Sequence, residues 1–265
     1  MAADQLAHFR KALAQTGVTS SDFDLNKGST PPANRTLRPA GVLAPIVERG
    51  GRLELILTKR SSALKHHPGQ IAFPGGKQDG GDADVVAAAL REAREEIGLP
   101  SDLVDVLGTL PAHETVTNFL VTPVIAFVKE DFEIIPEPGE VEEVFTVPLD
   151  HVLNAENYVV QSRRWQGQRR YYYTVPYGPY YIWGATARML RAWTERMMCP
   201  FPPARAGFPT PMPKPYAMRW RTAGMRSILS GAVCGTRFWA WRIAMSTCRP
   251  MHCPSVSWLL PRALG

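Results

Sequence analysis

The chain has no stretch reaching the roughly 18 to 20 uninterrupted apolar residues that a membrane helix needs. Its start, MAADQLAHFRKALAQTG, carries charges where a secretory leader would be apolar. Both absences argue against a membrane or exported protein, and the reading is cytoplasmic. The final Arg262-Ala263-Leu264-Gly265 is likewise no peroxisomal address. Cysteine is scarce: Cys199, Cys234, Cys248 and Cys253 are the full set, and their spacing lacks the paired arrangement of a tetrahedral zinc site. A body without cysteine fits a reducing compartment. Acid is missing from residues 197–265, which hold nine Lys or Arg and no Asp or Glu. The formal net charge of +6 is therefore a property of this tail, because the first 196 residues hold 21 basic and 24 acidic side chains. A body of that sign argues against nucleic acid as its partner.

What is present has a globular balance, 45% hydrophobic and 20% charged over 265 residues, enough for one large domain or a domain with an appendage. Leu6, Phe9 and Leu13 predict a short amphipathic helix over residues 4–15, before a polar, Pro-containing link at 25–38. Residues 40–47 and 53–57 read as a hairpin turning at Gly50-Gly51. The stretch PGGKQDGGDAD is expected to be a loop, since its glycines and proline break both regular structures. Residues 85–97 then read as a helix with Val86, Leu90, Ala93 and Ile97 along one face and Gly98 as its stop. Strands are expected at 103–110, 120–128 and 144–147, a second hairpin at 158–173 around a Gln-Gly turn, and a closing helix at 182–197. Strands with helices packed around them make an α/β layered domain. The expected division is an N-terminal helix and linker at 1–37, the domain at 38–198, and a basic Pro/Met/Trp/Cys-rich tail at 199–265. That tail, with seven prolines between positions 200 and 215, stands open to three readings: a disordered extension, a second module, or an out-of-frame translation.

Chemistry concentrates at Arg91-Glu92-Ala93-Arg94-Glu95-Glu96-Ile97-Gly98-Leu99. On a helix of 3.6 residues per turn, Glu92, Glu95 and Glu96 project within one sector, so three mutually repelling carboxylates converge. Glutamates are good helix formers, and a solvated helix face is one account of the run. The other is a hard cation, Mg²⁺ or Mn²⁺, which prefers oxygen ligands and can bridge phosphate oxygens. The glycine-rich segment before the helix favours the second.

Gly76 followed by the Arg91 to Leu99 segment resembles the Nudix box, a glycine, a spaced acid and then REUxEExGU with U aliphatic. Fourteen residues separate Gly76 from Arg91 where the signature has thirteen, and Asp79 or Asp82 stands in for the spaced Glu. Upstream, Leu57-Thr58-Lys59-Arg60-Ser61 and Gly69-Gln70-Ile71-Ala72-Phe73-Pro74-Gly75-Gly76 resemble the motif of the coenzyme A pyrophosphatase group within that family, with Lys65 where the motif usually has Arg. The matches cover about residues 55–99, with further likeness at 140–149 and at Trp183-Gly184. The resemblance implies a Nudix-type α/β/α sandwich with a mixed β-sheet, and metal-dependent hydrolysis of coenzyme A or a derivative to 3′,5′-ADP and 4′-phosphopantetheine.

Carried over residue by residue, the resemblance makes Glu92 and Glu96 metal ligands, with Glu95 as a third, holding Mg²⁺ or Mn²⁺. Arg91 orients these carboxylates. Glu95 or Glu140 serves as general base, with Glu142 and Glu143 in the same loop as Glu140 but read as ordinary solvated residues. Gly75 and Gly76 let the backbone approach phosphate. Lys59, Arg60 and Lys65 are candidates for the 3′-phosphate of coenzyme A. His66, His67 and His113 read as packing or surface residues, because Mg²⁺ prefers oxygen. Tyr171, Tyr172, Tyr173, Tyr177, Tyr180 and Tyr181 read as core or interface aromatics. The partner is a small molecule, and a homodimer remains open. Two rivals stand: a Nudix hydrolase acting on ADP-ribose, nucleotide sugars or nucleoside triphosphates, and a non-catalytic ligand sensor whose basic tail holds nucleic acid.

Overall fold

The computed structural model describes residues 2–198 except 27, 29, 30, 32, 33, 66 and 166. The expectations for His66 and for residues 199–265 lie outside the described residues. In chain order the elements are α1 (Ala2–Leu13), β1 (Ser20–Ser21), β2 (Arg38–Arg49), β3 (Arg52–Arg60), β4 (Ile71–Ala72), β5 (Gly75–Lys77), α2 (Val85–Ile97), β6 (Val104–Thr109), β7 (His113–Glu114), β8 (Phe119–Val128), β9 (Val141–Pro148), α3 (Leu149–Val152), β10 (Val159–Trp165), β11 (Gln168–Thr174) and α4 (Gly184–Met198).

The first nine strands form one mixed sheet in the order β1-β7-β8-β2-β3-β4, with β5 also on β2, β6 also on β8 and β9 also on β3. The β2–β8 pair is parallel and the β2–β3 hairpin antiparallel. Side chains alternate in a strand, and here both faces are apolar. Leu43, Val47, Ile56 and Val124 meet Ala89, Ala93 and Ile97 of α2 on one side. Ile46, Leu55, Leu57 and Ile125 pack with Phe9 of α1 and Leu190 and Trp193 of α4 on the other. The result is the α/β/α sandwich with mixed sheet, and its central strands are buried on both faces. Outside that sheet, β10 and β11 form a two-stranded ribbon.

Helix α2 starts where Asp84 accepts hydrogen bonds from the Val86 and Ala87 N–H groups, and ends at Gly98 in the left-handed region, φ 72°. Its first turn lies against β2, where a Cβ on Gly41 would overlap the Val85 carbonyl oxygen.

Two expectations need correction. The glycine-rich segment is not a loop throughout, since Gly75–Lys77 pairs antiparallel with β2, Gly76 opposite Gly41. Glycine there does not break the strand; it removes the side chain where backbones crowd, and Gly75 adopts φ 151° beside Val42. Glu142 and Glu143 are not in a loop either, because β9 begins at Val141 and pairs along β3. Both engage neighbours: Glu142 accepts from Lys59 at 2.5 Å, and Glu143 from the Tyr180 hydroxyl at 2.5 Å.

Candidate active site

The edge of α2 that follows the glycine strand carries the acidic cluster. Glu96 is buried, 4% exposed, and its carboxylate accepts the Gly75 N–H at 3.2 Å. Burial raises its pKa to about 7, with the Gly75 N–H and the charge of Arg60 opposing the rise and Glu92 and Glu140 adding to it. Glu92 lies one turn earlier. Burial is also the main cause of its raised pKa, Arg91 opposing and Glu95 and Glu140 contributing like charge. A Cβ on Gly76 would overlap the Glu92 carboxylate, so glycine at this position is what lets strand and acid meet.

Arg91 ties the assembly to the preceding loop. It grips Asp82 with a fork, Nε at 3.0 Å and Nη2 at 3.1 Å, and reaches Glu95 from Nη1 at 2.8 Å, Glu92 at 3.0 Å and the Lys77 carbonyl oxygen at 3.2 Å. Its own pKa is raised, first through Asp82. The Asp82 carboxyl is correspondingly held below the usual range by Arg91 and then by the Asp79 N–H. Of the two aspartates that could stand for the spaced acid, Asp82 makes the fork to Arg91, while Asp79 lies 3.8 Å from it. Glu95 is largely exposed and directed at Arg91. Glu140 is exposed; its N–H bonds the Glu137 carbonyl oxygen and the Glu137 N–H bonds the carbonyl oxygen of Glu96, which brings this loop to the end of α2.

Among the described residues no three His, Cys, Asp or Glu side chains form a ready ligand cage for a metal ion. The donors nonetheless suit a hard cation. Glu92 and Glu96 are desolvated carboxyl groups; the charges of Glu92 and Glu140 add to the cost of ionising Glu96, those of Glu95 and Glu140 to that of Glu92, and a positive ion would relieve that repulsion.

Gly75 and Gly76 also form part of a cleft of about 700 Å³. Arg60 lines it, whereas Lys59 is held by Glu142, whose pKa falls to about 2 through Lys59 and Ser62. Lys65 is exposed and not part of the cleft wall. His67 borders the cleft. His113 is fully buried, its Nδ1 2.9 Å from the Ser20 hydroxyl and its Nε2 3.1 Å from Asp22, a packing role. Tyr173, Tyr177 and Tyr180 pack on the core, Tyr171 and Tyr172 border the cleft, and the Tyr181 hydroxyl bonds Gln161.

Of the far wall, formed by Arg38, Arg163, Arg170 and Trp183 with Asp22 and Asn26 from the N-terminal segment, sequence reasoning singles out only Trp183, as part of the family likeness. One signal was available: Arg163-Arg164 and Arg169-Arg170 stand symmetrically about the Gln-Gly turn, so a hairpin must pair them.

The NUDIX domain model matches residues 37–166. The uncharacterized Nudix hydrolase NudL of Enterobacter sp. (strain 638) is 41% identical over 154 residues, 58% of this chain and 80% of the relative. The protein of the same description from Cronobacter sakazakii (strain ATCC BAA-894) is 39% identical over 171 residues, 64% and 88% of the two chains. Among solved structures, the Nudix hydrolase RenU from M. smegmatis shares 24% identity over 46% of this chain and 83% of its own, with a TM-score of 0.38. Of the described residues, no helix is long and apolar enough to cross a membrane. With relatives this similar spanned over four fifths of their length, the chain belongs to the Nudix hydrolase family, enzymes that hydrolyse substrates built on a nucleotide diphosphate.

Proposed function

We propose that this Nudix hydrolase cleaves the diphosphate of coenzyme A or a derivative, giving 3′,5′-ADP and 4′-phosphopantetheine or its acyl form. The observation that carries the reading is the continuity of one cleft. It runs from the Gly75-Gly76 edge, which touches Glu92 and Glu96 and has Arg60 close enough to act on Glu96, to a wall of Arg38, Arg163 and Arg170 with Trp183. Such a cleft suits a ligand with several phosphates and an aromatic base. The segment motif at 57–61 and 69–76 supports coenzyme A in particular, because Arg60, Gln70, Gly75 and Gly76 of that motif all line the cleft.

Glu92 and Glu96 would hold Mg²⁺ or Mn²⁺, with Glu95 as the third ligand. A divalent cation supplies charge against the phosphate oxygens and acidity to a coordinated water. Arg91 keeps Glu92 and Glu95 oriented through the fork to Asp82, and the Gly75 N–H fixes Glu96. Glu95 or Glu140 takes the proton of the water that attacks one phosphorus. The domain that does this spans 38–198.

A second reading keeps the family chemistry and exchanges the substrate for ADP-ribose, a nucleotide sugar or a nucleoside triphosphate. The relatives named above are described as Nudix hydrolases without a substrate, and arginines with an aromatic ring suit any of these ligands. Competing turnover of coenzyme A and ADP-ribose decides between them: preference for coenzyme A by kcat/KM supports the proposal, and preference for ADP-ribose replaces it.

A further inference from the structure

Register partners run in one row across the sheet: Ser20 of β1, His113 of β7, Val121 of β8, Ala40 of β2 and Lys77 of β5. Residues directly opposite each other share a face, and Val121, Ala40 and Lys77 line the cleft, so the row is part of its floor. Strands lie about 4.8 Å apart, and four steps put the Ser20 end roughly 19 Å from the glycine strand. A side chain at that end is out of reach of a phosphorus held at the Gly75-Gly76 edge.

Asp22, two residues on from Ser20, is the acid on the cleft wall among the described residues, and all four of its polar atoms are anchored. Its N–H donates to the Glu114 carbonyl oxygen at 3.0 Å, and its carbonyl oxygen accepts from Asn26 Nδ2 at 3.1 Å. Asn26 is buried and also holds the Tyr171 N–H and carbonyl oxygen, so one side chain locks Asp22 to β11. One carboxylate oxygen accepts the Val116 N–H at 3.0 Å, and the other faces His113 Nε2 at 3.1 Å. A carboxylate accepts, so Nε2 carries the proton, and the Ser20 hydroxyl 2.9 Å from Nδ1 completes the support. His113 is fully buried, whereas the Asp22 side chain is 19% exposed. The imidazole thus fixes a carboxylate that solvent still reaches. Each of its oxygens has two lone pairs and spends one in these bonds, which leaves acceptor capacity at the cleft.

Arg38 and Arg163 of the same wall suit phosphate. An acceptor fixed among them repels phosphate and serves a group that donates. We propose that Asp22 reads the nucleoside half of the substrate by accepting a hydrogen bond from an N–H or O–H donor, the amino group of the base or a hydroxyl of the sugar. His113 is the positioning residue behind it. The inference rests on the nucleotide reading of the cleft and not on the choice between coenzyme A and ADP-ribose, since both carry adenosine.

The test titrates the full chain and Asp22→Asn calorimetrically with 5′-AMP, with 5′-IMP, which has an oxygen in place of the amino group, and with the 2′-deoxy and 3′-deoxy forms of AMP. The wild type is expected to bind 5′-AMP about tenfold or more tighter than one of these analogues, the scale of a hydrogen bond to a charged group. Which analogue is penalised tells the amine from either hydroxyl. Asp22→Asn keeps the size of the side chain and an acceptor for the Val116 N–H; it is expected to bring that ratio to within about twofold while the other ratios hold. With whichever substrate the wild type cleaves, the variant raises KM about tenfold and keeps kcat within about twofold. His113→Ala is expected to cut the same ratio at least about threefold, the scale of one lost hydrogen bond, and an unchanged ratio removes the histidine from the proposal. A purely structural Asp22 weakens every probe alike. Equal loss across the panel, or a wild type that binds none of the probes or does not discriminate among them, overturns the proposal. If a variant fails to fold, proton NMR of the wild type decides: the His113 Nε2–H and Val116 amide resonances share the Asp22 oxygens, and they are expected to move with 5′-AMP and less with the penalised analogue. Equal movement with every probe overturns the proposal. Cleavage of ADP-ribose beside intact coenzyme A overturns the substrate proposed above and leaves Asp22 its role, because the titration needs no turnover.

Discussion

Two regions, the α2 cluster behind the Gly75-Gly76 edge of the cleft and the ribbon that lines it, hold opposite charge in different ways. At the α2 end the carboxylates are built into the sandwich. Asp84 caps the helix, Glu96 is sealed against Gly75, and Arg91 links loop and helix through five polar contacts within about 3.2 Å. At the ribbon end the arginines stand on two strands outside the main sheet, against aromatic rings. Charges in the first place are costly without a counter-ion, because they have lost water; those in the second are less buried, Arg163 being exposed and Arg170 half-buried. The proposed function puts the chemistry at the acidic region, where the carboxylates are fixed by the fold.

The contrast can be broken most strongly at Arg91. Arg91→Ala leaves Asp82, whose side chain is 6% exposed, without its charged partner, and frees Glu92 and Glu95 from their orientation. We expect kcat to fall by about two orders of magnitude and stability by about 1 to 3 kcal/mol, read by steady-state kinetics and urea titration. If activity survives intact, the fork is only structural.

A second effect separates burial from pairing. The folded-state pKa of Glu96 is about 7 against an ordinary 4.5, so between those values the folded metal-free chain binds more protons than the unfolded one, and stability falls as pH rises through that window. Above it the penalty is on the order of 3 kcal/mol. Glu96→Gln is expected to remove this slope, making the metal-free variant the more stable protein at pH 8. Parallel stability curves for variant and wild type between pH 4.5 and 7 would contradict the burial account.

Smaller effects sharpen the picture. Gly76→Ala must displace the Glu92 carboxylate, and we expect kcat to drop about tenfold with KM little changed. Unchanged kcat would mean that the strand shifts freely. The smallest change is expected for Lys59→Ala. Its partner Glu142 has a pKa lowered to about 2, so the pair's contribution is present above about pH 4.5 and is lost as pH falls toward 2. Both side chains are more than a third exposed or close to it, and KM for coenzyme A should stay within about twofold. A large rise in KM would return Lys59 to the substrate.

Much of this was legible in the residues. The helix expected at 85–97 is α2, with Gly98 as its end, because an apolar face and a glycine stop are local signals. The hairpins at Gly50-Gly51 and around Gly167 follow the same logic. Gly75–Lys77 was misread because glycine marks a turn by its own freedom, whereas its pairing with β2 is decided by distant backbone. The start of β9 was missed because charged Glu142 and Glu143 hid a strand whose register is set by β3. The clustering of Glu92 and Glu96 came from helical spacing. The far wall did not, since Asn26 meets Tyr171 across 145 residues, and no local pattern tells which face of a ribbon closes on a cleft.

The central claim, that Glu96 and its neighbours cleave the diphosphate of coenzyme A, is tested most directly by incubating the full chain and Glu96→Gln with coenzyme A and Mg²⁺ or Mn²⁺ and identifying products by mass. The account predicts 3′,5′-ADP and 4′-phosphopantetheine from the wild type and a loss of at least about a hundredfold in the variant. Intact coenzyme A beside cleaved ADP-ribose would contradict the substrate, and equal turnover by the variant would contradict the site.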